Sequence, residues 1–406
     1  MWITNTHVHV PPNFSAFTTP YEVVEAAKAE NVRVLGVSNF YDQHVYSLIA
    51  DLTREAGILP EYGLEFITLV PDLEAKGIRI NDPANPGRMY LTGKGIDPFR
   101  TPTPRAVAIA KTIRDGNDSR AEQMVDQVAR HFASVGYDTG VDAAAIIEQV
   151  AERGEVPSQW VSLQERHIAR AFQEALDALP HAQWIQIMGR AYGSGDGDPA
   201  CGRMTGQQGP AAPKADKGDP VGVQAEIRSR LLKKGTPGFV PEVPLSFEDA
   251  YTYILDMGGI PCYPILADGC DPVCPFEESP SGLAEELLRR GIHATELIPN
   301  RNHCEVVDQY VRALTKAGLI VMAGTEHNTQ DKISLNPICT DGEPSDFARQ
   351  AFFDATCVVV AHADRTKRGI DGYVDASGRL ILDDQGVQSL VREGAQLMAG
   401  GNQSPR

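Results

Sequence analysis

The chain has 406 residues, more than the roughly 250–300 at which one core stops growing, so a large domain with an insertion, or two domains, is expected. Hydrophobic residues make up 42% and charged residues 22%, an ordinary globular composition that excludes global disorder. Basic side chains number 37 and acidic ones 54, a net charge of −17 whose field repels phosphates. Neither nucleic acid nor an anionic membrane is therefore an expected partner.

The opening segment Met1-Trp-Ile-Thr-Asn5 has no basic start followed by an apolar run, so no secretory signal is expected. No stretch reaches the ~18 apolar residues that span a bilayer. The seven cysteines are Cys201, Cys262, Cys270, Cys274, Cys304, Cys339 and Cys357. An odd number in a chain of this size points to reduced thiols and a cytoplasmic setting. Cys270 and Cys274 are separated by three residues, with no second pair close in sequence to complete a structural zinc site.

The first predicted strand runs from Trp2 to His9. Thr19, Pro20 and Glu22 then supply an N-cap, a first-turn proline and a capping-box acid, which predicts a helix to about Glu30. A β-branched strand follows over 32–38, a helix over roughly 43–56, a strand over 61–70 and another over 89–93. The last third has the same rhythm. Strands are predicted over 260–266, 294–298 and 319–323, with helices over 281–290 and 303–316. Asn302 is the predicted cap of the second of these, and Ser345 caps a later helix that ends near Ala363. Such alternation argues for parallel strands with helices outside, as a barrel of about seven strands or as a doubly wound sheet.

The middle of the chain differs. Residues 105–190 carry helical periodicity, and 193–220 are Gly/Pro-rich with few large apolar groups, which predicts a mobile loop. The expected organisation is a first barrel part over 1–100, a mostly helical insertion over 101–240, a second barrel part over 241–382, and a C-terminal helix with a fraying tail over 383–406.

The sharpest chemical signal is His7-Val-His9. Side chains alternate along a strand, so both imidazoles face one way and can share a metal ion; two surface histidines are the alternative. Glu65 lies in an otherwise apolar strand, where a carboxylate needs a partner. Glu326 and His327 follow the apolar strand 319–323, and Asn39, Asp42 and His44 follow the second strand. Parallel α/β folds build their sites at such carboxyl ends. Lys94, Arg301 and Arg166 are the cations that could clamp an anion, Arg301 foremost because it adjoins a strand end. No strand is followed by G-x-G-x-x-G, and no GxxxxGK[ST] or G-x-S-x-G is present, so nucleotide binding and a serine triad are not expected.

Five stretches together resemble the PHP (polymerase and histidinol phosphatase) superfamily of metal-dependent hydrolases. Asn5-Thr-His-Val-His9 is similar to its first HxH motif, and Leu35-Gly-Val-Ser-Asn-Phe-Tyr41 stands where it has Thr-Asp-His-Asp. Gly63-Leu-Glu65 matches Gly-x-Glu. Gly258-Gly-Ile-Pro-Cys-Tyr-Pro264 resembles the strand ending in Ala-His-Pro, and Gly324-Thr-Glu-His-Asn328 resembles Gly-Ser-Asp-x-His. The resemblance covers about 1–100 and 240–365 and implies an α/β, distorted (β/α)7 TIM-like barrel with a mostly helical insertion.

By the same resemblance, His7, His9, Glu65 and Glu326 would ligate one divalent ion of zinc, manganese or iron. The family's other ligand positions fall on Asn39, Phe40, Tyr90, Tyr263 and Asn328, poor ligands, so a reduced centre is implied. The expected activity is hydrolysis of a small phosphorylated or sugar-like metabolite by a metal-activated water. His327, or Asp42 with His44, would move protons, and Arg301, Lys94, Tyr90, Tyr263 and Asn39 would touch substrate. The alternative is a one-metal barrel that has lost phosphoesterase activity and works as a lyase or a ligand-binding protein. The oligomeric state is open.

Overall fold

The computed structural model describes residues 2–193, 213–329 and 331–400. The loop expected over 193–220 therefore falls mostly outside the described residues, as does the tail expected to fray. By contact density the chain divides into two compact units. One comprises Met1–Pro11, Ser15–Ile113 and Pro244–Arg406; the other comprises Pro12–Phe14 and Arg114–Val243.

The first unit is built on a sheet with strands β1 (Ile3–Val8), β2 (Val32–Phe40), β3 (Leu59–Leu69), β4 (Arg88–Lys94), β5 (Leu245–Ser246), β6 (Ile260–Ile265), β7 (Ala294–Leu297) and β8 (Ile320–Ala323). Their spatial order is β1-β2-β3-β4-β6-β7-β8, with the short β5 beside β3. A parallel bridge from Val8 to Glu326 brings the two edges together. His9 N donates to Glu326 O and Glu326 N to His7 O, both at 2.8 Å. The result is a nearly closed, distorted barrel of seven strands, as expected from the alternation of strands and helices.

One strand departs from the expected parallel set. β4 is antiparallel to β3 and β6, with Glu65 opposite Thr92 and Ile67 opposite Tyr90. A parallel return needs a crossover, usually a helix on the sheet face. The 70–87 connection holds only the one-turn helix Pro71–Glu74, and Val70 N bonds Gly87 O at 2.8 Å. The chain thus doubles back as a wide hairpin. Tyr90 consequently stands near the carboxyl ends of the neighbouring strands, and Lys94 lies toward their amino ends.

Caps behave as local chemistry dictates. Thr19 Oγ1 accepts from Glu22 N at the start of the helix Pro20–Ala29, and Ser345 Oγ accepts from Ala348 N at the start of Asp346–Lys367. Asn302 does not cap its helix. His303 takes that position before Cys304–Lys316, and the Asn302 amide donates instead to Leu266 O and Asp268 Oδ1.

The second unit is helical. Ala143–Gly154, Glu165–Asp177, His181–Gly193 and Pro220–Ile227, with the later part of Pro104–Ser134, close on a core that includes Met124, Phe132, Phe172 and Trp184. Arg166 lies there over the Phe14 ring at 5.6 Å, a cation–π contact. Among the described residues no helix is long and apolar enough to cross a membrane.

Candidate metal centre

His7 ends on β1, His9 follows it, and Glu65 reaches in from β3; all three are buried. Their donor atoms lie within 4.8 Å of one another. His9 Nε2 is 3.2 Å from Glu65 Oε2, and His7 Nε2 is 3.8 Å from the same oxygen. His7 Nδ1 donates to Glu296 Oε2 at 2.7 Å. Its Nε2 faces the cluster with no hydrogen-bond partner. A buried imidazole nitrogen without a partner is costly unless something else takes its lone pair. Two imidazoles and a carboxylate form a donor set suited to a divalent ion, so the residues present fit one.

Glu296, on β7, is absent from the expected site residues, although it carries the same signal as Glu65, an acid inside an apolar strand. Its Oε1 accepts from Lys94 Nζ at 2.9 Å and from Thr6 Oγ1 at 2.5 Å. Burial would raise its pKa, but Lys94 and His7 bring it down to about 2. Burial pushes Glu65 up to about 8, with His7 pulling it down and Glu326 pushing it further up. A cation among these donors would reverse that tendency and release the proton.

Glu326 is close but differently engaged. Its Oε2 accepts from Arg301 at 2.5 Å and from Asn328 Nδ2 at 2.6 Å. Burial opposes its ionisation, but the Arg301 guanidinium together with His7 and His9 more than offsets this, holding its carboxyl below the usual range. It does not belong to the three-residue donor cluster. Both Glu326 and His327 have left-handed backbones, φ 59° and 51°, a conformation that non-glycine residues adopt at a cost and mostly at functional sites.

A cavity of about 270 Å³ opens on the centre. Glu65, Tyr90, Arg301, Glu326, Asn328 and Asp82 are among its lining residues. Phe40, also on its wall, stacks on His9 with ring centroids 4.9 Å apart. Asn81 and Asp82, in the 70–87 connection, carry no sequence signal of their own.

Other residues expected at the site stand elsewhere. Lys94 is wholly buried on Glu296, Thr6 O and Ser38 Oγ and does not line the cavity, because β4 runs backwards. Tyr263 is buried with its hydroxyl on Glu277, and Asn39 spends its amide on the backbone of Val10. His327 Nδ1 bonds Thr325 Oγ1 at 2.8 Å and Nε2 bonds Ile333 O at 3.1 Å. Asp42 and His44 pair with each other at 3.6 Å, also outside the cavity wall. None of these six lines the cavity.

No family model and no curated protein matches the chain. Solved structures do match its fold. A protein from Bifidobacterium adolescentis assigned as a metal-dependent phosphoesterase superposes with a TM-score of 0.55 at 13% identity, covering 86% of this chain and 94% of that one. An amidohydrolase from Chromobacterium violaceum, with bound sulfate and no metal, superposes with a TM-score of 0.51 at 17% identity, covering 86% and 95%. These likenesses establish that the barrel is an arrangement already seen in solved proteins.

Proposed function

We propose that the chain is a metal-dependent hydrolase acting on a small anionic metabolite, a phosphoester foremost. The observation that carries this reading is the convergence of His7, His9 and Glu65, with the partnerless His7 Nε2 aimed into the cluster. The resemblance to PHP hydrolases and the fold shared with a phosphoesterase and an amidohydrolase support it.

His7, His9 and Glu65 would hold one divalent ion, zinc, manganese or iron. When bound, such an ion supplies Lewis acidity, lowering the pKa of water and polarising a substrate oxygen. Glu296 fixes the His7 tautomer so that Nε2 stays a donor. Arg301, on the cavity wall, would exchange part of its pairing with Glu326 for an anionic oxygen of the substrate. Asn328 keeps Glu326 in place while this happens. The volume suits a small ligand.

A second reading has a specific observation behind it. Glu326, which the resemblance makes a ligand, is held by Arg301 and Asn328, leaving a three-donor centre. Such a centre could serve a lyase or a binding protein. The test is metal analysis of the purified chain with a screen of generic phosphoesters. About one equivalent of bound ion that is lost, together with turnover, in His9→Ala supports the hydrolase. Binding without turnover favours the second reading. A chain that takes up no ion at this centre overturns both.

A further inference from the structure

A second group of metal-type donors lies away from this centre. We propose that Cys304, Cys339 and Asp341 form a zinc site that fastens the turn around Cys339 to the start of the helix Cys304–Lys316. Their two sulfurs and a carboxylate oxygen lie within 4.8 Å of one another. Zinc–sulfur bonds of about 2.3 Å in tetrahedral geometry place donors roughly 3.8 Å apart, so only a small closing movement is needed.

The local backbone already presents this set. Cys304 opens its helix, and its N–H donates to Asp341 Oδ1 at 2.8 Å. Cys339 N bonds Gly342 O at 2.8 Å, which bends the chain so that Cys339 and Asp341 face the same helix end. Thr340 N and Oγ1 both donate to Asn302 O, at 3.0 and 3.1 Å. Cys339 is buried, Cys304 is half-buried and Asp341 is exposed, so an ion would sit at the surface with its fourth position open to water. Burial pushes both thiols above their ordinary pKa. They stay protonated until a cation takes the protons' place.

Two thiols select a soft ion, unlike the imidazole and carboxylate set of the first centre. Cys270 and Cys274, the pair that sequence spacing draws attention to, belong to no such group among the described residues. Arg301 lies three residues before Cys304, so zinc here would also steady the segment that brings Arg301 to the cavity. The assignment stands independently of what that cavity does.

The test is a cobalt titration of the reduced full-length chain, read by the near-ultraviolet absorption of thiolate-to-cobalt charge transfer. One equivalent should saturate the band in His9→Ala, whose first centre is disabled, and up to two equivalents in the unaltered chain. Cys304→Ser and Cys339→Ser should each abolish it, and the exposed Asp341→Asn should weaken cobalt binding by about tenfold or more. His9→Ala, which disables only the first centre, should keep the band. Should either cysteine variant fail to fold, Asp341→Asn carries the test alone. Absence of a thiolate band, a band that persists in both cysteine variants, or unchanged affinity in Asp341→Asn overturns the proposal. So does a Cys304–Cys339 disulfide whose reduction leaves thiols that take up no cobalt.

Discussion

Glu296 accepts the Nδ1 proton of His7 at 2.7 Å, and neither side chain is exposed. This contact decides which imidazole nitrogen faces Glu65. Glu296→Gln replaces a committed acceptor by an amide that can donate instead, which favours the wrong tautomer. Zinc affinity should fall by about 10–100-fold, measured by competition with a coloured chelator. Unchanged affinity would show that His7 is held by packing alone.

Lys94 supplies the other half of the same network. It is a wholly buried ammonium, 2.9 Å from Glu296 and 2.6 Å from Thr6 O. Removing one partner of a buried ion pair strands the other charge and costs about 3–5 kcal/mol. Lys94→Met should therefore lower the urea midpoint at neutral pH by that equivalent. Adding Glu296→Leu should restore much of it, because an apolar pair replaces an ionic one. If the double variant is no more stable than the single, the Lys94 loss is a packing effect.

Much of this architecture is legible in the residues, and all the misses but Glu296 share a physical cause. Apolar β-branched runs mark the strands, and alternation and the cost of burying a charge mark His7, His9 and Glu65. These signals are local. The direction of β4 depends on how 70–87 crosses the barrel, which no window of sequence contains. That single reversal keeps Tyr90 on the cavity wall and takes Lys94 away from it, since the end of the strand that reaches the site is the opposite one. Glu296 obeyed the same rule as Glu65 and was available to it. Asn302 is a good capping residue, yet Leu266 O and Asp268 claim its amide from outside the helix. Cys304 and Cys339 are too far apart in the chain for spacing rules to join them.

His362 sets an acid limit on stability. Its Nε2 bonds Gly258 O at 2.9 Å, and its Nδ1 accepts from Tyr373 N at 3.0 Å, an arrangement available only to the neutral ring. Burial lowers its pKa to about 4, with the Gly258 carbonyl opposing. The unfolded chain protonates near its ordinary value, about 6.5. The unfolded state thus binds more protons between these values, so the contribution present above pH 6.5 is lost as pH falls through 4. The full amount is about 3 kcal/mol. His362→Gln cannot titrate, so its stability should change less over this window in denaturant titrations at successive pH values. An identical pH slope in both proteins would remove His362 from the account.

Gly324, one residue after β8, packs directly against His7. A Cβ there would lie 2.3 Å from His7 Cβ, closer than real atoms approach, and a tight 3.0 Å from His7 N. His7 cannot retreat without losing Glu296. Gly324→Ala must therefore move either strand β1 or the segment that carries Glu326. Overpacking of this kind costs about 1–3 kcal/mol. Because the displaced atoms belong to a proposed ligand, zinc affinity should fall together with the thermal midpoint. Gly189→Ala serves as the control: it lies in the helix His181–Gly193, where an added Cβ meets nothing within 4 Å. That change should stabilise the chain by about 0.5–1 kcal/mol and leave metal affinity as it was. A Gly324→Ala chain of lowered stability but unaltered zinc affinity would mean that the β8 side yields, and that His7 is set by Glu296 rather than by the tight passage.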